Sequence, residues 1–303
     1  MLIPDLIVYL YKLLFSGIDI VMINPSLRPY QLIRDGVYLL LARLCRKKVV
    51  TFIHGWGDAT YERIKRKPKL FCSVYGKSSL IFVLYSVFRD KLKALPLHCE
   101  VCLTTTKVRQ SLIDGADASA RDGKISRLLF LARADKAKGL DVTIKAFEIL
   151  KESHPEISLC VCGDGNALQD MKAYVSSHGL KDVSFEGNVS PDEVKGYYED
   201  AQVYLLPTHG EGMATTVLEA MAMGLVVITR PVGGVNDFFE EGKMGYLLES
   251  LSPQDYASKI DYLIDHPALV AQIARYNHQY AVEHFAPRQV VNDLEQKIFA
   301  AID

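Results

Sequence analysis

No run of 18 consecutive uncharged apolar residues occurs in this 303-residue chain, so no membrane-spanning helix is expected. The apolar opening Met1–Phe15 is broken by Asp5 and Lys12, and no cleavage site of small residues follows it. A secretory signal is therefore not read there. Clusters of His, Cys, Asp and Glu with metal-ligand spacing are missing, as are zinc-finger and RNA-binding signatures, which sets metal centres and nucleic acid aside. Cysteines are few: Cys45, Cys72, Cys99, Cys102, Cys160 and Cys162. Cys99-x-x-Cys102 has redox or metal spacing but no second pair nearby, so all six are read as small buried hydrophobes. A strong overall charge is also lacking, the net being −1.

That near-neutrality hides an asymmetry. Residues 1–120 hold 18 Lys and Arg against 9 Asp and Glu, a net of +9, and the remainder is −10. Two basic clusters stand out: Arg43, Arg46, Lys47 and Lys48, then Arg63, Lys65, Arg66, Lys67 and Lys69. They fit an anionic partner such as lipid headgroups or a pyrophosphate-linked acceptor. A solvated helix surface explains either cluster alone equally well. The length suits two domains.

Apolar runs alternate with helical patterns through most of the chain, the signature of βα units on parallel sheets. In the front half Ile18–Ile23, Lys48–Ile53, Leu80–Tyr85 and Val101–Thr104 read as strands, after a helix over Leu2–Leu14 and with another over Pro29–Leu44. Residues 113–126 are small and polar and read as an interdomain linker. Beyond them come strands at Arg127–Leu131, Ile157–Cys162, Val183–Glu186, Ala201–Leu206, Val226–Thr229 and Tyr246–Leu248. Helices are expected over Leu140–Ser153, Ala167–His178, Ser190–Asp200, from Thr215, and over Pro253–His266, Pro267–His284 and Pro287–Ile302. Ser190 and Glu193 make a capping box.

Ligands of open parallel sheets sit at the carboxyl ends of strands, and four candidate loops lie there. After Ala201–Leu206 comes His209-Gly210-Glu211-Gly212-Met213-Ala214-Thr215-Thr216, running into a helix that carries Glu219, with seven residues between the two glutamates. A glycine-rich turn before a helix N-terminus suits a diphosphate, because the first helical N–H groups lack internal partners. The carboxylates suit sugar or ribose hydroxyls. After Arg127–Leu131, Arg133 and Lys138 offer two cations that could clamp a diphosphate. Gly163 opens a turn, Gly163-Asp164-Gly165, that is either a plain tight turn or a nucleotide contact, and Asn188 ends a strand where a base could lie. In the front half His54 ends a strand before Gly55-Trp56-Gly57 and is equally readable as structural or functional.

These residues together resemble the retaining glycosyltransferases of family 4. The resemblance is strongest over Leu128–Leu248, in LARADKAKGLD, CVCGDG, VSFEGNVS and LLPTHGEGMATTVLEAMAMGLVVITRPVGG. It is looser in front, in INPSLRPYQLIRD, the HGW tripeptide and LYSVFRDKL, where it is similar to enzymes building bacterial surface polysaccharides. It implies an α/β GT-B fold with two facing Rossmann-like domains. It also implies transfer of a hexose from a UDP- or GDP-sugar to a glycan or lipid-linked glycan, with retention, no cofactor and no metal.

By the same resemblance, Arg133 and Lys138 hold the diphosphate and stabilise the leaving nucleotide, and Glu219 accepts from the ribose. Glu211 contacts the transferred sugar, the backbone of Gly210 and of Gly212 to Thr216 approaches sugar and phosphate, and His54 lies near the reacting face. No protein nucleophile is assigned, so Glu211 and Glu219 are not a glycosidase pair. Ala214 stands where the family commonly has proline. The domains are expected at 1–118 (acceptor side), 119–286 (donor side) and 287–303 (a helix returning to the first domain). The front domain is read as truncated, lacking a first strand and glycine-rich loop. A partner chain or self-association would then complete it, and the alternative reading is a donor-binding subunit or inactive remnant of a split enzyme. The expected location is cytoplasmic, on the inner face of the membrane.

Overall fold

The structure, a computed structural model, describes residues 3–302. Leu2 of the first expected helix and Asp303 of the tail lie outside the described residues. The chain divides into two compact units, Met1–Thr106 with Val290–Asp303, and Lys107–Gln289.

The first unit runs α1 (Ile3–Phe15), β1 (Ile20–Ile23), α2 (Pro29–Leu44), β2 (Lys48–Ile53), α3 (Asp58–Arg66), α4 (Pro68–Tyr75), β3 (Leu80–Val83), α5 (Ser86–Lys93) and β4 (Glu100–Leu103). Its four strands are parallel in the order β1-β2-β3-β4. Strand β3 is buried along its whole length, as a strand covered on both faces must be. Helices α3, α4 and α5 occupy stretches read above only for charge or motif. On α3, Tyr61 and Ile64 turn inward, which leaves Arg63, Lys65 and Arg66 exposed, along with Lys67 and Lys69. The HGW and LYSVFRDKL stretches meet, with Trp56 stacked on Phe88 at 3.9 Å and Lys91 bonded to Asp58 at 2.8 Å.

The second unit runs α6 (Gln110–Asp114), β5 (Arg127–Leu131), α7 (Leu140–Ser153), β6 (Ser158–Cys162), α8 (Leu168–Ser177), β7 (Val183–Gly187), α9 (Val194–Asp200), β8 (Val203–Leu206), α10 (Thr215–Ala222), β9 (Val226–Thr229), β10 (Gly245–Leu247), α11 (Pro253–Ile264) and α12 (Pro267–His284). Six parallel strands lie in the order β10-β9-β8-β5-β6-β7. Prolines open α11 and α12, where their missing N–H costs nothing. The Ser190–Glu193 capping box forms, Glu193 Oε2 accepting from Ser190 N at 2.9 Å, although the helix proper begins only at Val194. Helix α13 (Pro287–Ile302) leads back to the first unit. There Leu294, Ile298 and Ala301 pack on Val50, Leu80 and Phe82, and Lys297 Nζ donates to Leu103 O at 3.0 Å.

Two expectations need correction. Residues 113–126 are not a linker. Ile113, Ala118 and Ile125 are buried, and the Arg121 guanidinium donates to the carbonyls of Met223, Ala201 and Tyr198. The segment is polar because it ties together main-chain ends at the amino edge of the second sheet. The division between the units accordingly falls after Thr106 rather than after 118, and the tail joins the first unit from Val290 rather than from 287. The six cysteines are all free, and Cys99 and Cys102 have separate partners, Tyr75 O and Glu100 Oε1.

Candidate active site

The second sheet reverses its direction of growth at its centre. From β5 the chain builds outward through β6 to β7, then returns to place β8 on the other side of β5. The loops leaving β5 and β8 lie at this switch point, at the carboxyl ends of neighbouring strands, where such sheets bind ligands in a crevice.

Both loops are pinned. His209 N donates to Ala137 O at 2.9 Å, and Thr208 Oγ1 to the same oxygen at 3.2 Å. Gly139 has φ +78, and a Cβ there would stand 2.3 Å from Pro207 O, so only glycine allows this approach. The result is direct contact between two of the predicted residues, Lys138 Nζ bonding to Glu211 Oε1. Their side chains are only 17% and 14% exposed. A buried pair of this kind contributes little net stability, yet each partner makes the other tolerable away from water. Beyond Glu211, Gly212 O accepts from Gly234 N at 2.7 Å, and Met213 lies over Gly234.

Arg133 shares the β5 loop but is 74% exposed, with Nη1 3.3 Å from Asp135 Oδ2. Asp135 is fixed from behind, its Oδ1 accepting from Asn166 N at 3.1 Å. One cation is thus held by Glu211 in the interior and the other by Asp135 at the surface. The N-terminus of α10 has Ala214 as its N-cap and no side-chain cap, so the backbone at Thr215 and Thr216 offers N–H groups without intrahelical partners. The hydroxyl of the buried Tyr204 bridges Leu131 O at 3.0 Å and Thr216 Oγ1 at 2.6 Å, locking this helix start to the end of β5.

Glu219 lies deeper, 9% exposed, on the buried side of α10. Its Oε2 accepts from Tyr198 Oη at 3.1 Å, and its Oε1 lies 3.6 Å from Arg109 Nη2. Burial raises the Glu219 pKa above its ordinary value, opposed by the Tyr198 hydrogen bond and the Arg109 charge. The native state therefore holds this proton more tightly than the unfolded chain does. The stability contribution of Glu219 rises as pH falls from its folded pKa toward the ordinary carboxylate value. Glu219→Gln has no proton to lose, so its stability relative to the parent should increase as pH rises through that window. Urea melts from about pH 4, near the ordinary carboxylate value, upward to about neutrality check this, and a pH-independent difference over that range would contradict it.

The remaining predicted residues separate. Gly163 (φ +130) is required by packing, since a Cβ there would sit 1.8 Å from Ala132 O. Its N–H donates to Gly187 O at 2.6 Å, so the turn after β6 supports the Arg133 loop from behind. Asn188 is exposed just past β7, and Gly210 is exposed within the Glu211 loop. His54 belongs to the first unit, exposed, with Nε2 3.3 Å from Ser26 Oγ. Glu211 pairs with Lys138, and Glu219 with Tyr198 and Arg109. Arg109, Asp135, Tyr198 and Tyr204 were missed in sequence, where no local spacing marks them.

The pattern of the family described as glycosyl transferases group 1 matches residues 116–280. A D-inositol 3-phosphate glycosyltransferase of Arthrobacter sp. (strain FB24) is 32% identical over 224 residues, covering 72% of this chain and 52% of the relative. The amylovoran biosynthesis glycosyltransferase AmsK of Erwinia amylovora is 25% identical over 268 residues, covering 84% and 65%. The chain thus spans about half to two thirds of the length of these relatives. Anabaena Alr3699/HepE, solved in complex with UDP, superposes with a TM-score of 0.75 at 14% identity, covering 97% of this chain and 81% of that one. Two α/β units, each on its own parallel sheet, are what the GT-B expectation requires. The chain belongs to the group 1 glycosyl transferases.

Proposed function

We propose that this chain transfers a hexose from a nucleoside-diphosphate sugar, UDP before GDP, to a glycan or lipid-linked glycan acceptor, with retention and without a metal. The observation that supports this best is the buried Lys138–Glu211 pair at the switch point of the sheet, beside the uncapped start of α10. UDP in the similar Alr3699/HepE favours the uracil nucleotide. Lys138, Arg133 and the first amides of α10 stabilise the diphosphate as it leaves, an electrostatic task that positioned donors perform without reorganisation. Glu211 accepts from sugar hydroxyls and keeps Lys138 oriented, while Glu219 accepts from the ribose. With no protein nucleophile, the departing phosphate takes the acceptor proton on the face it leaves.

A second reading, a donor-binding subunit that needs a partner, is favoured by the outer side of β1. That strand has no neighbour there among the described residues, and Ile7, Tyr11 and Phe15 of α1 are exposed. One experiment separates the two. UDP-hexoses of α configuration are incubated with the protein and a panel of alkyl glycosides, with and without EDTA, and the products are read by NMR. The enzyme reading predicts α-linked product at a rate EDTA leaves unchanged. Inverted product or loss of turnover in EDTA would overturn it. UDP binding without turnover supports the subunit reading.

A further inference from the structure

A carboxylate held as deep as Glu219 must have its charge met and its lone pairs occupied, or it takes up a proton. Two side chains do this work. Tyr198, on α9, is wholly buried, and its Oη lies 3.1 Å from Glu219 Oε2 and 3.3 Å from Thr216 O. It occupies one carboxylate oxygen from the protein side and fixes the plane of the group against the backbone of α10. Arg109, just before α6, is anchored by Nη1 on Pro191 O. Its Nη2 lies 3.6 Å from Glu219 Oε1, near enough to supply a counter-charge but long for a hydrogen bond. Oε1 therefore keeps lone-pair capacity for a further donor, and it is the oxygen on the partly exposed Arg109 side of the group.

We propose that Tyr198 and Arg109 are positioning residues for ribose recognition. Tyr198 sets the direction in which Glu219 presents Oε1, and Arg109 keeps that carboxylate charged so that it accepts a hydroxyl proton instead of offering its own. This rests on the reading of Glu219 as the ribose contact. Neither residue touches the nucleotide in this scheme. Each acts through Glu219, so its effect exists only for ligands that carry ribose hydroxyls.

The test compares affinities for UDP and 2′,3′-dideoxy-UDP by calorimetry, in the parent and in Glu219→Gln, Tyr198→Phe, Arg109→Gln and Arg109→Lys. The parent should prefer UDP, and Glu219→Gln should flatten the preference. Tyr198→Phe and Arg109→Gln should each weaken UDP roughly 10- to 100-fold, the size of one lost hydrogen bond to a charged group, with dideoxy-UDP within about twofold of the parent, the scatter of a non-interacting site. Arg109→Lys, which keeps the charge, should recover most of the loss. If Glu219→Gln leaves the preference intact, the ribose reading itself fails. If Glu219→Gln flattens it and the Tyr198 and Arg109 variants do not, the positioning proposal fails. Equal weakening of both ligands marks a merely structural role and overturns it too. Should Tyr198→Phe not fold, the partly exposed Arg109 pair of variants decides the question alone.

Discussion

Replacing Lys138 with alanine weakens UDP binding by about 1–3 kcal/mol and slows transfer further, because the cation acts most strongly on the charge that develops as the diphosphate leaves. The substitution also leaves Glu211 largely buried without its partner. Truncating one side of a buried pair typically destabilises by about 3–5 kcal/mol, less where water still reaches. The melting temperature should therefore fall with the affinity. The double variant Lys138→Ala/Glu211→Ala removes the orphaned carboxylate and should recover part of the stability while recovering none of the binding. Calorimetry with UDP and thermal melts of the three variants measure both effects. Unchanged UDP affinity in a folded Lys138→Ala would remove the diphosphate from this crevice.

The second large effect is on folding. Gly163→Ala should destabilise by at least about 3 kcal/mol, as strain in a backbone region closed to L-residues adds to a collision of backbone with backbone. The added Cβ would lie 1.8 Å from Ala132 O and 2.9 Å from Ala132 C. Neither is the end of a flexible side chain, so relief requires moving the end of β5 and with it the Arg133 loop. Urea melts give the stability. A second consequence follows in the surviving folded fraction, where UDP affinity should fall because the loop holding Arg133 and Lys138 has shifted. A Gly163→Ala protein as stable as the parent would contradict this packing requirement.

Much of this was legible before any coordinates. The runs RLLFL, VYLL and VVIT declare buried parallel strands, and the helices between them declare βα units, because only a strand covered on both faces tolerates such continuous apolarity. The four loops at strand ends could be named, and two of them do meet at Lys138 and Glu211. Hidden from the sequence was how the charges are shared. Glu219 shows as a carboxylate near a helix start, but its hydrogen-bond partner is Tyr198, 21 residues earlier on another helix. The 113–126 stretch misled for a related reason. Its polar composition belongs to a solvated linker only if the polar groups face water, and Arg121 instead turns inward to three carbonyls. Gly163 could be read as turn or contact because glycine permits both, and what the sequence did not show is how closely its backbone approaches Ala132 O.

The central claim is that a nucleoside diphosphate lies between the loops that leave β5 and β8. Hydrogen–deuterium exchange of the protein with and without saturating UDP tests it most directly. The account predicts slowed exchange in residues 132–139 and 210–219, where the two cations, the glycine turn and the start of α10 stand. Protection confined to the cavity of about 340 Å³ around Arg121 and Gly224 at the opposite edge of the sheet, with both loops unchanged, would contradict it.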